Sequence, residues 1–252
     1  MCASQKEPLP RPEVDKESGD VSLLTCFLVP ESRINEIAVD SGIADCRFHF
    51  RSERDRVVVT LFGARRNELI NHLSASLGLL CHEGGTTVQA RLVEVLLVRN
   101  LTLSTAESCT GGLIAKLITD VPGSSSVFWG GVVAYDNSAK RTLLSVSGVP
   151  AFGAVSAEVA QEMASGALLR NSADIAISVT GIAGPGGGSD EKPVGTVFFG
   201  IGRRGRPSAA FGAHVSGGRD RIRRRCAVAG LLLGIVSAVG DDIDGHTLWN
   251  YI

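Results

Sequence analysis

Ser108, Tyr135 and Lys140, in the middle of the chain, have the types and spacing for nucleophilic chemistry. Ser108 lies in LTLSTAESCTGGLIAKL, Leu101 to Leu117, where apolar alternation runs into Glu107, Ser108, Cys109 and Thr110 and then into a helical pattern. Buried polar side chains are costly unless partnered, so this cluster serves either capping or chemistry. In AYDNSAK, Tyr135 stands at a strand end and Lys140 follows five residues on, so a phenol and an amine can return to the sheet edge that carries Ser108. A serine without a histidine base needs another proton acceptor, and a lysine serves when desolvation or nearby cations keep it neutral. The alternative for Lys140 is an exposed helix position, where most lysines belong.

The segment after Ser108 opens a helix through Thr110, Gly111 and Gly112, whose backbone N–H groups can face an anion or oxyanion. Ser108 and Thr110 read equally as plain helix caps, and the glycine-flanked G-x-S-x-G elbow is absent. Cys109 is a rival nucleophile, since a thiol of low pKa at a helix start is reactive. VTGIAGPGGGSDEKPVGT carries five glycines from Gly181 to Gly188, Gly184 among them, directly after the strand ending at Thr180. Such a loop makes an anion-binding nest or a flexible connector; Gly-Lys-Ser/Thr, the mark of a P-loop, is missing. GGRDRIRRRC puts Arg219 and Arg223 four apart on one helical face, either a ligand contact or a solvated basic face.

The elements that must position these residues alternate between strand and helix. After a Pro- and charge-rich stretch, residues 1–20, expected as a disordered arm, VSLLTCFLV and RVVVTLF read as strands. Leu69, Leu73 and Leu77 mark a helix over Arg65 to Leu79, giving a small α+β domain over 21–85. A second domain, 86–252, opens with a capping box at Thr86 and Gln89 and a helix closing at Asn100. There follow a strand Leu101–Thr105, a helix from about Gly111, a strand VFWGGVVAY, a helix opening at Ser156 and strands ADIAISVT and GTVFFGI. A further strand spans Ala209–Val215, and a long helix starts at Arg219. Alternation of this kind predicts a layered α/β domain with helices on both faces of the sheet.

Composition narrows the functional classes. With 252 residues and a formal net charge of -1, the chain has no overall basic footprint for nucleic acid. Apolar runs break well before the ~20 residues a bilayer requires, and the first twenty residues lack a signal-peptide core, so a cytoplasmic protein is expected. The six cysteines show no CxxC and the five histidines no i, i+4 pair, which points away from a disulfide framework or a metal site.

Taken in order, LTLSTAESCTGGLIAKLITDVPGSSSVFWGGVVAYDNSAK, GAVSAEVAQEMA, VTGIAGPGGGSDEKPVGTVFFGI and RDRIRRR resemble the C-terminal domain of the CinA (competence/damage-inducible protein A) family, the nicotinamide-nucleotide amidases, over about Thr86 to Val236. The resemblance implies a three-layer α/β/α amidase domain preceded by a small α+β domain. It also implies hydrolysis of nicotinamide mononucleotide to nicotinate mononucleotide and ammonia, in pyridine nucleotide salvage, with no metal or organic cofactor. By position, Ser108 matches the family's nucleophile and Lys140 its base, while Tyr135, Thr180 and Arg223 match residues lining the substrate site. Thr110, Gly111, Gly112, Gly181 and Gly184 join the substrate contacts through their loops. A homodimer is implied, with neither membrane nor direct nucleic-acid binding. The family's large N-terminal domain, credited in some members with pyrophosphatase activity, is expected to be absent, and that activity is not carried over. Gly218 departs from the acidic residue that often precedes the first arginine, which bears on how Arg219 is positioned. The alternatives are a non-catalytic CinA-like protein acting through a partner in competence or DNA damage, and the same fold hydrolysing another amide.

Overall fold

The computed structural model describes residues 21–54, 56–240 and 247–251; the expected N-terminal arm lies outside them. Its first part runs β1 (Ser22–Phe27), α1 (Glu31–Asp40), β2 (Arg47–Ser52), β3 (Arg56–Phe62), α2 (Arg66–Leu77) and β4 (Cys81–Glu83). The strands form an antiparallel sheet in the order β2-β3-β1-β4, the split βαβ arrangement. Leu69, Ile70, Leu73 and Leu77 of α2 and Ile34, Ile37 and Ala38 of α1 supply its buried helical stripes. β2, RFHFRS, alternates half-buried Phe48 and Phe50 with exposed charged residues, as an edge strand does.

The second part begins with α3 (Val88–Arg99). Its N-cap is Thr87 and not the expected Thr86: the Thr87 hydroxyl accepts from the Ala90 N–H at 3.3 Å. Asn100 ends the helix in the left-handed conformation, as its sequence position suggests. Then come β5 (Leu103–Glu107), α4 (Leu113–Thr119), β6 (Phe128–Val133), α5 (Asn137–Leu144), α6 (Val149–Phe152), α7 (Ala157–Asn171), β7 (Ile175–Gly181), β8 (Thr196–Arg203), β9 (Arg206–His214) and α8 (Arg219–Val239). The sheet order is β6-β5-β7-β8-β9, with β6, β5 and β7 parallel and β8 and β9 added antiparallel. Helices α3, α4 and α8 pack together on one face and α5 and α7 on the other, giving three layers. The central β7 is buried along nearly its whole length, as a strand covered on both faces must be.

α8 is the spine of this domain. Fourteen of its residues, from Ile222 to Ala238, are buried. At Gly234 a Cβ would stand 2.9 Å from Ile177 and 3.1 Å from Leu92, so this glycine lets the helix approach both β7 and α3. No helix among the described residues is long and apolar enough to cross a membrane.

Two features of the topology place the functional groups. From β5 the chain leaves through α4 on one face, and from β6 it leaves through α5 on the other, so the carboxyl ends of β5 and β6 flank a switch point where open α/β sheets bind ligands. Gly166 of α7 sets how close α5 comes: a Cβ there would lie 2.0 Å from the Leu144 carbonyl oxygen at the end of α5. We expect Gly166→Ala to cost about 3 kcal/mol, read as a lowered urea midpoint, because backbone and not a flexible side chain must move. An unchanged midpoint would show that α5 is not held by this contact.

Candidate active site

Ser108 follows the last residue of β5, and its N–H donates to the Val179 carbonyl at 2.9 Å, fixing it at the carboxyl end of the sheet. Tyr135 lies just beyond β6. Asp136 caps α5 by accepting from the Ser138 N–H at 2.7 Å, and that cap aims Lys140 back under the strand end. Lys140 is 2% exposed, so the surface-lysine alternative fails. Its Nζ donates to the Tyr135 carbonyl at 3.2 Å, and burial pushes its pKa below that of a free lysine, against the opposing pull of Asp136 and Cys109.

Ser108, Tyr135 and Lys140 line one cavity of about 210 Å³ together with Thr180, Gly181 and Arg219. Cys109, Asn137, Ala183 and the segment bearing Ala154 and Val155 complete its wall. Thr180 is buried, and its hydroxyl donates to the Ala154 carbonyl at 2.7 Å. Lys192 holds the same segment from outside, donating to the Phe152 and Val155 carbonyls at 3.2 and 2.8 Å. That contact was not legible in the sequence, where Lys192 is one charge in a loop.

The two arginines of the expected basic face divide their work. Arg223 Nε and Nη2 donate to the Cys109 and Thr110 carbonyls at 3.2 and 2.7 Å, bracing the turn behind Ser108, and Arg223 does not line the cavity. Arg219 does: its Nη1 donates to the Gly184 carbonyl at 2.7 Å and its Nη2 to the Tyr135 hydroxyl at 2.9 Å. Gly218 is the N-cap of α8 with extended backbone and no side chain to cap it, and Arg219 is aimed by these two acceptors instead. The spacing of four places both arginines on one side of α8 but does not say which reaches past Tyr135.

Thr110, Gly111 and Gly112 lie beside the cavity and not on its wall. α4 starts at Leu113, with Gly112 as its N-cap, and not near Gly111. Its first-turn donors are already engaged: the buried Glu107 carboxylate accepts from the Ile114 N–H at 3.1 Å and the Ala115 N–H at 2.8 Å. The Gly111 N–H donates to the Ser108 carbonyl at 3.0 Å. An oxyanion therefore cannot use the helix end as the sequence suggests. Among the described residues no carbonyl accepts from the N–H of Cys109 or Thr110. The Thr110 hydroxyl is buried without a partner among the described residues. Glu107→Ala would strand one buried and one half-buried donor, and we expect a loss of about 2–3 kcal/mol in urea unfolding. A loss below about 0.5 kcal/mol would show that the α4 start does not depend on Glu107.

Gly184 contributes its carbonyl to Arg219, and its backbone sits at φ +75, where a Cβ would meet Val194 at 2.6 Å. Cys109 is 6% exposed, and burial pushes its thiol up to about 12, so at neutral pH it is a protonated thiol and a poor nucleophile. Among the described residues no His, Cys, Asp and Glu group is arranged to hold a metal ion.

Comparison with known proteins decides the family. The CinA C-terminal domain profile matches residues 85–235, more than half of the chain. The chain belongs to the CinA family. A CinA-like protein of Leptospira borgpetersenii (strain L550) is 50% identical over 144 residues, covering 56% of this chain and 34% of the relative. A CinA-like protein of Leptospira interrogans (strain Fiocruz L1-130) is 48% identical over 210 residues, covering 82% of this chain and 48% of the relative. This CinA chain thus spans half or less of the length of these curated relatives. Among solved structures, a competence/damage inducible protein from Agrobacterium tumefaciens is 40% identical with TM-score 0.57, covering 61% of this chain and 97% of its own. The competence damage-inducible protein A from Klebsiella pneumoniae is 33% identical with TM-score 0.57, covering 60% and 98%. The CinA fold is therefore shared over the part of the chain that holds the cavity.

Proposed function

We propose that this chain hydrolyses the carboxamide of nicotinamide mononucleotide, releasing ammonia and nicotinate mononucleotide. The observation that carries the reading is the pairing, in one cavity at the sheet's switch point, of a serine with a buried lysine whose pKa is lowered by that burial. Ser108 Oγ attacks the amide carbon while Lys140 Nζ takes its proton. Lys140 returns the proton to the departing nitrogen as the C–N bond breaks, leaving an ester on Ser108. Water then attacks that ester, losing a proton to Lys140, and the Ser108 oxygen leaves with the proton back.

The N–H groups of Cys109 and Thr110, which reach no carbonyl among the described residues and lie against the Cys109 sulfur, are the donors we assign to the tetrahedral oxyanion, each worth about 3 kcal/mol in hydrolases of this kind. At about 210 Å³ the cavity is smaller than the ~300 Å³ and more of sites that enclose a drug-sized ligand. It suits the pyridine ring and carboxamide, with ribose and phosphate at the mouth. There Arg219, joined to Tyr135, is the cation that meets the phosphate. Arg223 supports the turn of Ser108 without touching substrate.

Ammonia release from nicotinamide mononucleotide, nicotinamide riboside and free nicotinamide tests the reading. The phosphorylated substrate is expected to be preferred by about tenfold or more in kcat/KM, with the preference collapsing in Arg219→Gln. Equal turnover of all three would remove the phosphate from the account. Silence with all three would favour an interaction protein of competence or DNA damage, the vocabulary of the relatives' names.

A further inference from the structure

A second cavity, of about 280 Å³, lies between the small sheet and α8, and four arginines line it: Arg54 from the β2–β3 turn, Arg56 from the start of β3, and Arg221 and Arg225 from α8. Among the described residues Glu53 is its one lining carboxylate, and that group is already bridged by Arg51 at 3.1 Å and Arg56 at 2.7 Å. Arg56 further donates to the Gly85 and Thr86 carbonyls, and Arg225 donates to the Tyr251 carbonyl. Arg54 and Arg221 make no hydrogen bond or ion pair among the described residues. Asp220 stands near but is engaged by Arg224 at 2.9 Å, and Arg54 adds only a lesser pull on it.

Like charges at i, i+4 on a helix destabilise it, and Arg221 and Arg225 hold that spacing beside a third and a fourth guanidinium. Burial and, secondarily, the Arg221 charge lower the Arg225 pKa. Leu28, Val29, Pro30 and Val57 give the cavity apolar lining beside the arginines. None of its lining residues is shared with the cavity of Ser108.

We propose that this cleft is a second binding site, taking the phosphate chain of a small di- or triphosphate. Guanidinium forks match phosphate oxygens two at a time, and Arg54 and Arg221 are the two lining arginines without a hydrogen bond or ion pair among the described residues. A single phosphate engages fewer of the four arginines than a diphosphate does, so the site discriminates by chain length.

Titration calorimetry on the full chain with inorganic phosphate, pyrophosphate and ATP tests this without reference to amide hydrolysis. Pyrophosphate is expected to bind saturably at one site per chain and more tightly than phosphate. In an Arg54→Gln/Arg221→Gln double variant its Kd should rise about a hundredfold, about tenfold per guanidinium, while Arg219→Gln leaves it unchanged. Arg221→Lys, which keeps the charge and loses the fork, should fall between wild type and Arg221→Gln, and unaltered urea midpoints would separate lost contacts from lost folding. Absence of saturable binding, unchanged affinity in the double variant, or loss of binding in Arg219→Gln alone would overturn the site. Tighter binding of a single-stranded oligonucleotide than of pyrophosphate by more than tenfold would also overturn it, in favour of a nucleic-acid surface.

Discussion

Ser108→Ala is expected to lower the turnover of nicotinamide mononucleotide by about 10⁴-fold or more with little change in stability, whereas Cys109→Ala retains most of the activity. The two residues are neighbours, and their chemistry is separated by environment. Both residues line the cavity, but burial pushes the Cys109 thiol up to about 12 and keeps it protonated at neutral pH. Removing that buried sulfur leaves a void, so Cys109→Ala should lose about 1–2 kcal/mol of stability while Ser108→Ala does not. The pair of variants thus dissociates activity from folding in opposite directions. A folded, inactive Cys109→Ala beside an active Ser108→Ala would reverse the assignment.

The second large effect belongs to Lys140. As the base it must be neutral before substrate reacts, and a free lysine near pKa 10.4 would be almost wholly protonated at neutral pH. Burial in the α5–β6 corner lowers that value. The rate constant kcat/KM should therefore rise with pH along one ionisation below the free-lysine range and level off above it. Lys140→Arg keeps the charge and cannot deprotonate, so we expect a fall of about 10²–10⁴ in kcat with substrate binding retained. Lys140→Ala should be comparably slow, and substantial turnover by Lys140→Arg would exclude the base role.

Folding carries the same signature with a definite sign. The unfolded chain binds a proton that the folded chain excludes, so this group makes stability climb as pH rises from the folded value toward ~10.4. Lys140→Met should flatten that rise in urea unfolding followed against pH, which ties the pKa to the site independently of any substrate.

How much of this was legible in the sequence varies with the range of the interaction. Local signals read well: Ser156 does cap α7, accepting from the Val159 N–H at 3.2 Å, and Asn100 closes α3. The Thr86 cap misses by one residue: Thr86 and Gln89 fit a capping box, but it is the adjacent Thr87 hydroxyl that accepts the first-turn N–H, from Ala90. β2 was overlooked because RFHFRS carries three charged or polar residues on its exposed face and pairs by topology, against β3, more than by hydrophobicity.

At the cavity, Ser108, Tyr135, Lys140, Thr180 and Gly181 come together from four separate elements, a convergence that ordered motifs signal but spacing alone does not. Long-range partners stayed hidden. The choice of Arg219 over Arg223 depends on a tyrosine 84 residues away, and Glu107 serves as the cap of α4 from the end of the preceding strand. Neither contact leaves a local trace, since each depends on where β5, β6 and α8 meet.

The most direct measurement is the stoichiometry of products from nicotinamide mononucleotide incubated with the purified chain. The account predicts ammonia and nicotinate mononucleotide appearing one for one, with no free nicotinamide and neither product from Ser108→Ala. Release of free nicotinamide without ammonia, which would signify cleavage of the glycosidic bond, or undiminished ammonia from Ser108→Ala, would contradict it.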